Sequence, residues 1–282
     1  MDEPAIRAFW NDNPCGEKYV GGLSKTSSAN YASFFDAYDA FRYQKEGHIL
    51  RALDRFDFHG KRVLEIGLGQ GADSEQLIRR GAIWSGLDLT EESVDRVRMR
   101  MALRNLPVSD VKLGSALNIP HADNTFDMVF SHGVLHHIPD IRSAQSQIHR
   151  VLKPGGRLIA MLYAKNSLNY QVSIRVVRRL GLAAIYLLRL NLGGIYECHR
   201  QNAMRAGLLS YLKMKSFIHR STDGPGNPYA KVYDRRAVAE DFPDFVIQDA
   251  FKMWMHAPPL PTRHLPGEGL LGWHLWVTLA AR

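Results

Sequence analysis

The stretch VLEIGLGQGADS, residues 63–74, has the clearest chemical content in the chain. Gly67, Gly69 and Gly71 follow a short apolar run at alternate positions, and an acid, Glu65, stands two residues before the first glycine. Glycine allows a tight turn and a close approach of the backbone to a ligand, as in the nucleotide-binding loops between a strand and a helix. The spacing therefore predicts a nucleotide-binding loop.

A second acid supports this interpretation. Asp88 ends the next apolar run, 21 positions after Gly67, where a carboxylate can accept hydrogen bonds from both ribose hydroxyls of a nucleoside. The loop alone also satisfies the dinucleotide pattern GxGxx(G/A), so it does not separate NAD from another adenosine cofactor. Glu65 favours a cationic ligand, because a carboxylate there would repel a pyrophosphate.

Histidines form the second candidate group, in SHGVLHHIPD, residues 131–140. His132, His136 and His137 are candidate general bases because histidine titrates near neutrality. Adjacent residues on a regular helix point about 100° apart, so His136 and His137 are not expected to reach one acceptor together, and one of them is expected to be structural. A structural histidine bonded to backbone is the alternative for each. Metal-ligand spacings are absent from the sequence, so no catalytic metal is expected.

The surrounding residues alternate between strand and helix patterns. Apolar runs predict strands over 62–66, 82–88, 110–113, 126–131 and 156–163, and the periodicity between them predicts helices over 73–80, 91–104 and 141–152. This alternation predicts a parallel sheet with helices on both faces. The pattern is helical from 167 to 222, and two β-like runs follow at 245–255 and 272–280.

Four segments resemble the successive motifs of class I S-adenosylmethionine-dependent methyltransferases, nearest to the small-molecule group that includes quinone-biosynthesis enzymes. They are VLEIGLGQGADS, GLDLTEESV, GSALNIPHADNTFDMVFSHGVLHHIPD and IHRVLKPGGRLIAMLY, and they cover roughly residues 60–165. The resemblance implies an α/β, Rossmann-like, doubly wound sheet of seven strands, mostly parallel with a C-terminal antiparallel strand. It also implies a core over 61–164 and 237–282, an N-terminal helical cap over 1–60, and a helical insertion over 165–236 that acts as a substrate lid.

The same resemblance implies S-adenosylmethionine as cofactor and methyl transfer to a small-molecule acceptor. By position, Glu65, Gly67, Leu68, Gly69 and Gly71 surround the methionine part, Asp88 holds the ribose, Leu89 lies against the adenine, Ser115, Ala116 and Leu117 line the adenine edge, and Ser131, His132 and Gly133 lie beneath the sulfonium. His137 matches the commonest histidine position of the family. One departure is Ser115, where the family usually has an acid after the glycine.

The insertion holds thirteen lysines and arginines against three acids, a net charge of +10 that exceeds the +8 of the whole chain. Residues 174–190 project as one helix with Arg175, Arg178, Arg179 and Arg189 on one arc. Opposite them fall Val176, Val177, Leu180, Leu187 and Leu188. We therefore expect an apolar inner face beside the pocket, with arginines that rim its entrance or face outward.

Three roles for the basic face stay open: a solvated surface, a contact with an anionic membrane, or a lid over an acidic or lipid-like acceptor. The expected acceptor has a hydrophobic body and lies between the insertion and the N-terminal aromatic residues. Cys15 is expected to be a loop residue, and it is kept with Tyr19 and Tyr43 as a candidate for closure over the cofactor.

Composition and the remaining alternatives bound the function. The longest apolar stretch, 180–188, is less than half of a bilayer span, the start of the chain lacks secretion signals, and there are two cysteines, so a cytoplasmic protein without a transmembrane helix is expected. The pI of 9.5 keeps a nucleic-acid methyltransferase open, although strand four lacks the Asn/Asp-Pro-Pro-aromatic motif. An NAD-type oxidoreductase is a further alternative. The methylated atom (O, N, S or C) and the oligomeric state stay undetermined.

Overall fold

The structure, a computed structural model, describes residues 3–14, 16 and 28–282. Cys15 and Tyr19 lie outside the described residues. Three helices precede the sheet: α1 (Glu3–Asp12), α2 (Ser28–Glu46) and α3 (His48–Leu53). Helix α1 buries Ile6, and α2 packs through Phe34, Phe35 and Tyr38 against Ala72, in the helix Ala72–Arg79.

The described residues form a single sheet of seven strands in the order β3-β2-β1-β4-β5-β7-β6. The strands are β1 (Arg62–Ile66), β2 (Ile83–Asp88), β3 (Asp110–Leu113), β4 (Phe126–His132), β5 (Leu152–Tyr163), β6 (Phe245–Met253) and β7 (His274–Ala281). Pairing is parallel from β3 to β5, and β7 runs antiparallel to both β5 and β6. The predicted fold class is confirmed.

Both faces of the sheet are covered, which explains the continuous apolar runs of its strands. Val63 packs with Trp84 and Phe130 on one face, whereas Leu64 packs with Val129 on the other. The covering helices include α4 (Ala72–Arg79), α5 (Glu91–Leu103), α6 (Ile141–Val151) and α11 (Arg235–Asp241). A short helix, α12 (Glu268–Leu271), precedes β7.

Strand β5 begins four residues earlier than the sequence predicts. Leu152 already pairs with Phe126, and the register then shifts so that Arg157 pairs with Met128. The turn residues Pro154 and Gly155 therefore lie within β5, at the point where its pairing with β4 is irregular. Pro154 and Gly155 correctly indicated a break in regular structure here, but pairing with β4 continues the strand on both sides of it.

The insertion contains helices from Asn169 to Thr222. A π-helical segment (Asn169–Arg178) runs directly into α7 (Arg179–Leu187), and α8 (Gly194–Ala206), α9 (Leu208–Tyr211) and α10 (Met214–Thr222) follow. Across the described part of the chain, every helix is too short or too polar to cross a lipid bilayer.

The prediction of one regular helix over 174–190 is wrong in both its geometry and its faces. The first half is π-helical, the helix ends at Leu187, and Arg189 has a positive φ of 53°. Leu180 and Leu187, placed inside by the sequence, are 66% and 70% exposed, while the inner face consists of Ile174, Leu182, Ile185 and Arg178. The segment therefore has two apolar faces. One faces inward with Ile174, Leu182 and Ile185, and Arg178 lies beside them at the cavity; the other faces outward.

Candidate functional site

A cavity of about 1250 Å³ lies at the carboxyl edge of the parallel strands. Its lining includes the ends of β1, β2, β4 and β5, at Ile66, Asp88, His132 and Tyr163. Pockets for one drug-sized ligand usually measure roughly 300–1,000 Å³. The cavity therefore has room for a cofactor at the glycine loop and a second molecule beside the insertion.

The loop after β1 has the backbone that its glycines predict. Gly67 adopts a φ of 84° and donates its N–H to the Leu87 carbonyl at 2.8 Å, and a Cβ at this position would lie 2.1 Å from Val134 Cγ2. Gly67, Leu68 and Gly69 line the cavity. Gly71, expected beside the cofactor, instead lies behind the loop, where a Cβ would meet Val97 and Arg100 at 3.0 Å.

Asp88 connects this loop to the second strand. Its Oδ2 accepts from the Leu68 amide at 2.7 Å, and its Oδ1 accepts from the Thr90 amide and hydroxyl, each at 2.8 Å. Burial raises the pKa of Asp88, and these hydrogen bonds oppose the rise. The Gly69 amide also donates to this carboxylate, so its roughly four lone-pair directions are all used, and a ribose hydroxyl would replace one of these hydrogen bonds at the cavity that Asp88 lines.

Two residues predicted to face the cofactor occupy other positions. Glu65 is buried outside the described lining and accepts from the Trp84 indole at 2.8 Å, and burial raises the pKa of its carboxyl to about 8. A carboxyl that is protonated at neutral pH does not supply the negative charge expected for a cationic ligand. Ser131 is also buried outside that lining, and its hydroxyl donates to the Ile66 carbonyl at 3.0 Å.

A carboxylate that the sequence analysis missed takes the position at the cavity wall. Asp73, in the first turn of α4, lies 2.7 Å from Arg42 Nη2 and 2.5 Å from His132 Nδ1. Burial opposes its ionisation, yet Arg42 and His132 hold the pKa of Asp73 well below its usual range. Because the Asp73 carboxylate only accepts, His132 Nδ1–H donates to it, with Arg42 Nη2 at 3.2 Å from the same nitrogen, and Nε2 is then the acceptor atom of the neutral ring.

The adenine edge contains a second missed acid. The Ser115 hydroxyl donates to the Glu3 carboxylate of α1 and accepts from the Leu117 amide at 3.0 Å. Glu3 and Ser115 both line the cavity, together with Leu89, Ala116 and Leu117. The acid that the family usually carries after Gly114 is thus replaced in space by one that comes from the N-terminal helix.

His137 lies at the opposite end of the cavity, in a 3-10 turn (Leu135–His137) after β4. Its Nδ1–H donates to the Tyr229 carbonyl at 2.7 Å, and its Nε2 lies 3.4 Å from Asp223 Oδ2. The Tyr163 hydroxyl donates to Asp223 Oδ1 at 2.9 Å. Since neutral Nε2 and carboxylate Oδ2 are both acceptors, a proton or a donor group is favoured between them.

His136 is separated from this site by the turn that carries both histidines. It is fully buried outside the described lining and packs on Tyr163, with 3.8 Å between ring centroids. Burial lowers the pKa of His136 well below its ordinary value. Of the three candidate bases, His132 and His137 therefore line the cavity, whereas His136 belongs to the core.

The wall formed by the insertion combines apolar residues with one buried cation. Leu182, Ile185 and Phe217 supply the apolar part, opposite Trp254 and Trp273 from the C-terminal region. Arg178 lines the cavity among them, while Arg175 and Arg179 lie on more outward turns, outside the described lining. The expectation that the arginines rim the entrance or face outward is therefore wrong for Arg178.

Neutral oxygens hold Arg178 in place. Its Nε donates to the Pro258 carbonyl at 2.9 Å and to Ser173 Oγ at 3.0 Å, and its Nη groups donate to the Ser221 carbonyl and to Asn169 Oδ1. Burial lowers the pKa of Arg178 to about 10, so the guanidinium stays charged at neutral pH. Among the residues that the structure describes, Arg178 has no carboxylate partner.

The sheet order and the cavity at its carboxyl edge define a class I methyltransferase fold, and comparison with known proteins agrees. Residues 64–160 match the family described as a methyltransferase domain. This confirms the resemblance to S-adenosylmethionine-dependent methyltransferases, and S-adenosylmethionine is the cofactor that the domain implies.

Three curated relatives share between 31% and 34% identity with the chain. A demethylmenaquinone methyltransferase of Symbiobacterium thermophilum is 31% identical, over 53% of this chain and 61% of its own. A ubiquinone biosynthesis O-methyltransferase of Neisseria meningitidis is 31% identical, over 49% and 57%. A phthiotriol/phenolphthiotriol dimycocerosates methyltransferase of Mycobacterium ulcerans is 34% identical, over 39% and 40%.

Solved structures share the fold at lower identity. A possible histamine N-methyltransferase from Thermotoga maritima has a TM-score of 0.52 and 17% identity, covering 89% of this chain and 98% of its own. A methyltransferase from Aquifex aeolicus has a TM-score of 0.52 and 14% identity, covering 92% and 100%. The chain spans between 40% and 61% of the length of the three curated relatives, so its own reaction is argued from its site.

Proposed function

We propose that this protein transfers a methyl group from S-adenosylmethionine to a small, largely apolar acceptor that carries a dissociable proton or an anionic group. The carrying observation is that one cavity joins the glycine loop to the His137–Asp223 pair. The relatives named for quinone biosynthesis support a small-molecule acceptor. The sequence-based expectation of a cytoplasmic location accompanies this proposal.

The residues at the loop end fit the cofactor. Gly67 and Gly69 would bring backbone against its methionine part, since a Cβ on Gly67 would meet Val134 and both glycines have a positive φ. Asp88 would accept from the ribose hydroxyls, and Glu3 with Ser115 would accept from the adenine amino group. Gly133 and His132 would lie beside the sulfonium.

When bound, the cofactor would supply an electrophilic methyl group: a lone pair of the acceptor would bond to the methyl carbon as the methyl–sulfur bond breaks, and S-adenosylhomocysteine would be left. The protein's contribution is then to orient the acceptor and to exclude water. Trp10 packs edge-on against His137 with 5.1 Å between ring centroids, and both line the cavity. The aromatic wall thus shields the place where the acceptor must approach.

His137 is the residue we assign to proton removal. Its Nδ1–H is fixed on the Tyr229 carbonyl, so Nε2 has a free lone pair in the neutral ring. An acceptor hydroxyl has one proton, which it would donate to Nε2 beside the Asp223 carboxylate. Once Nε2 takes the proton, the Asp223 carboxylate at 3.4 Å stabilises the imidazolium.

Arg178 supports an anionic or strongly polar group on the acceptor. A partly buried guanidinium that contacts neutral oxygens gains from a charged partner, because charge-assisted hydrogen bonds are stronger where water is scarce. The apolar residues around it bind the remainder of the molecule. This combination favours a hydrophobic-bodied acid or phenol over a nucleic acid.

Calorimetry and labelled turnover test the proposal separately. We expect S-adenosylhomocysteine to bind and NADH to give no heat, and Asp88→Ala to weaken S-adenosylhomocysteine by about 1–3 kcal/mol. Binding of NADH with no response to S-adenosylhomocysteine would refute the cofactor assignment. A metabolite screen with S-adenosylmethionine labelled at the methyl group then identifies the acceptor, and label incorporated into RNA alone would refute the small-molecule assignment.

A further inference from the structure

The outer surface of the insertion carries an apolar stripe that no core covers in the described structure. We call it the outer stripe, and it consists of Val172, Val176, Leu180, Leu187 and Leu188. The three leucines are 66%, 70% and 68% exposed. Val172, Val176 and Leu180 follow one another at intervals of four residues, and Leu187 and Leu188 lie seven and eight residues after Leu180. These spacings place the side chains on one side of the π-helical segment and α7.

The outer stripe continues to an opening of the cavity. Leu190 and Leu192 are exposed in the loop after α7, and Ile195 and Tyr196 at the start of α8 are about half exposed, at 48% and 50%. Ile195 and Tyr196 also line the cavity, so the cavity reaches the surface at this point. An apolar molecule on the stripe would therefore lie next to the entrance.

Positive charge accompanies the stripe. Arg175 is exposed on the π-helical segment and Arg189 just after α7, and Arg205, Lys213 and Lys215 are exposed in the part of the insertion that follows. The three acids of the insertion are occupied elsewhere: Glu197 pairs with Arg200, Asp234 pairs with Lys165, and Asp223 lies in the cavity. The outward charge of the insertion is thus strongly positive.

An anionic lipid bilayer complements both properties at once. Its surface attracts lysine and arginine, and its acyl region accepts leucine and valine side chains at a shallow depth. Exposed apolar area of this extent on a soluble protein marks an interaction surface. We propose that the outer stripe and its cations dock the insertion on an anionic bilayer, with the entrance at Ile195 and Tyr196 facing the lipid.

In this orientation an acceptor dissolved in the bilayer would enter the cavity without crossing water. That part rests on the proposed methyl transfer, whereas docking itself does not. Binding to vesicles and binding of S-adenosylhomocysteine are therefore measured on the same full-length protein. Failure of the first with success of the second refutes docking only, and the reverse refutes the proposed cofactor only.

Vesicle sedimentation tests the docking. We expect the protein to sediment with equimolar phosphatidylcholine and phosphatidylglycerol, to bind pure phosphatidylcholine much more weakly, and to dissociate from the mixed vesicles as salt rises. Leu180→Ser/Leu187→Ser/Leu188→Ser should weaken association by about tenfold or more, since three leucines no longer enter the lipid. Arg175→Gln/Arg189→Gln should remove part of the preference for phosphatidylglycerol.

The matched control is Leu265→Ser/Leu270→Ser, which changes two leucines outside the insertion that are 51% and 72% exposed. This variant should bind mixed vesicles like the unchanged protein. Equal vesicle binding by the triple serine variant would overturn the proposal. So would sedimentation velocity without lipid that shows a dimer for the unchanged chain and a monomer for the triple variant, because the stripe would then bind a second copy.

Discussion

Two histidine–carboxylate pairs lie at opposite ends of one cavity, and they are built differently. His132 and Asp73 are 2.5 Å apart, and Arg42 lies 2.7 Å from the same Asp73 oxygen. His137 and Asp223 are 3.4 Å apart, and the Asp223 side chain is 23% exposed against 9% for Asp73. In the first pair, His132 donates to Asp73, and Arg42 balances the carboxylate charge. In the second pair, His137 Nε2 and Asp223 Oδ2 are both acceptors, and Nε2 has no hydrogen-bond donor among the described residues.

This difference assigns separate tasks to the two ends. The Asp73 carboxylate, through Oδ2, joins the elements around it, here α2, α4 and the end of β4, while its Oδ1 has no hydrogen-bond partner among the described residues. A looser pair at the cavity surface can exchange a proton with a bound molecule. We therefore expect the first pair to act as a support and the second to take part in the proposed chemistry.

The largest expected effect is on the supporting pair. Asp73→Asn removes the carboxylate at 2.7 Å from Arg42 and leaves that guanidinium with Glu46 at 3.5 Å, which should cost about 3 kcal/mol in the free energy of unfolding, measured by urea denaturation. The control is Asp249→Asn, which removes a surface partner of Arg55 and should cost at most about 1 kcal/mol. Equal costs for the two variants would contradict the supporting role.

The next effect is on the reactive pair. His137→Gln should lower turnover about 100-fold or more while S-adenosylhomocysteine affinity and unfolding free energy change little, because the general base is lost and the fold is kept. Turnover of the variant should rise with pH as the acceptor loses its proton unaided. A variant that is as active as the unchanged enzyme at neutral pH would transfer the role to His132 or to no residue.

Buried histidines near both pairs predict an acid-sensitive fold. Burial lowers the pKa of His48 to about 3 and those of His199 and His256 to about 4, so the unfolded chain binds protons first below about pH 6.5. Stability should fall from pH 6.5 toward pH 4, by about 1.4 kcal/mol per pH unit for each histidine. Denaturation of His256→Gln at several pH values should give a correspondingly shallower slope.

Glu65 contributes the opposite sign. Its pKa, raised by burial to about 8, gives stability that is present below its unfolded value and is lost as pH rises through 8. Glu65→Gln should therefore remove a loss of stability that runs from about pH 4.5, where the carboxyl ionises in the unfolded chain, to about pH 8. An unchanged pH dependence of stability across this range would show that Glu65 ionises freely in the folded protein.

The smallest expected effect concerns the adenine edge. Glu3→Gln removes the carboxylate that accepts from Ser115 and should weaken S-adenosylhomocysteine binding by about 1 kcal/mol, or about fivefold in Kd, by calorimetry. Glu240→Gln, which removes a surface carboxylate paired with Arg236, is the control and should bind unchanged. No difference between the two would leave Ser115 as the adenine contact.

The sequence predicted what local pattern determines. The apolar runs located the strands, and the glycines with Asp88 located the loop end, because glycine conformation and a carboxylate at a strand end are properties of short segments. Asp73 follows the loop directly, but its importance depends on Arg42, 31 residues away in the chain. Glu3 and Ser115 are 112 residues apart, so no local signal joins them.

Two errors have a common physical origin. Glu65 was assigned a charge from its position before the glycines, but its side chain points to the face where Trp84 binds it. Arg178 was assigned to an outer face from α-helical periodicity, but the π-helical segment and its neutral partners keep it inside. In both cases burial and pairing decided what a charge does, and neither can be seen in spacing.

The contact between His137 and the Tyr229 carbonyl has a consequence for engineering. His137 lies within the residues that match the methyltransferase domain, whereas the carbonyl that fixes its tautomer belongs to the insertion, and the Lys231 amide donates to the His136 carbonyl beside it at 2.9 Å. Exchange of residues 165–236 for the insertion of a relative would replace the acceptor pocket and this carbonyl together. A graft meant to alter selectivity must therefore bring an equivalent carbonyl, or the new pocket will have a misdirected base.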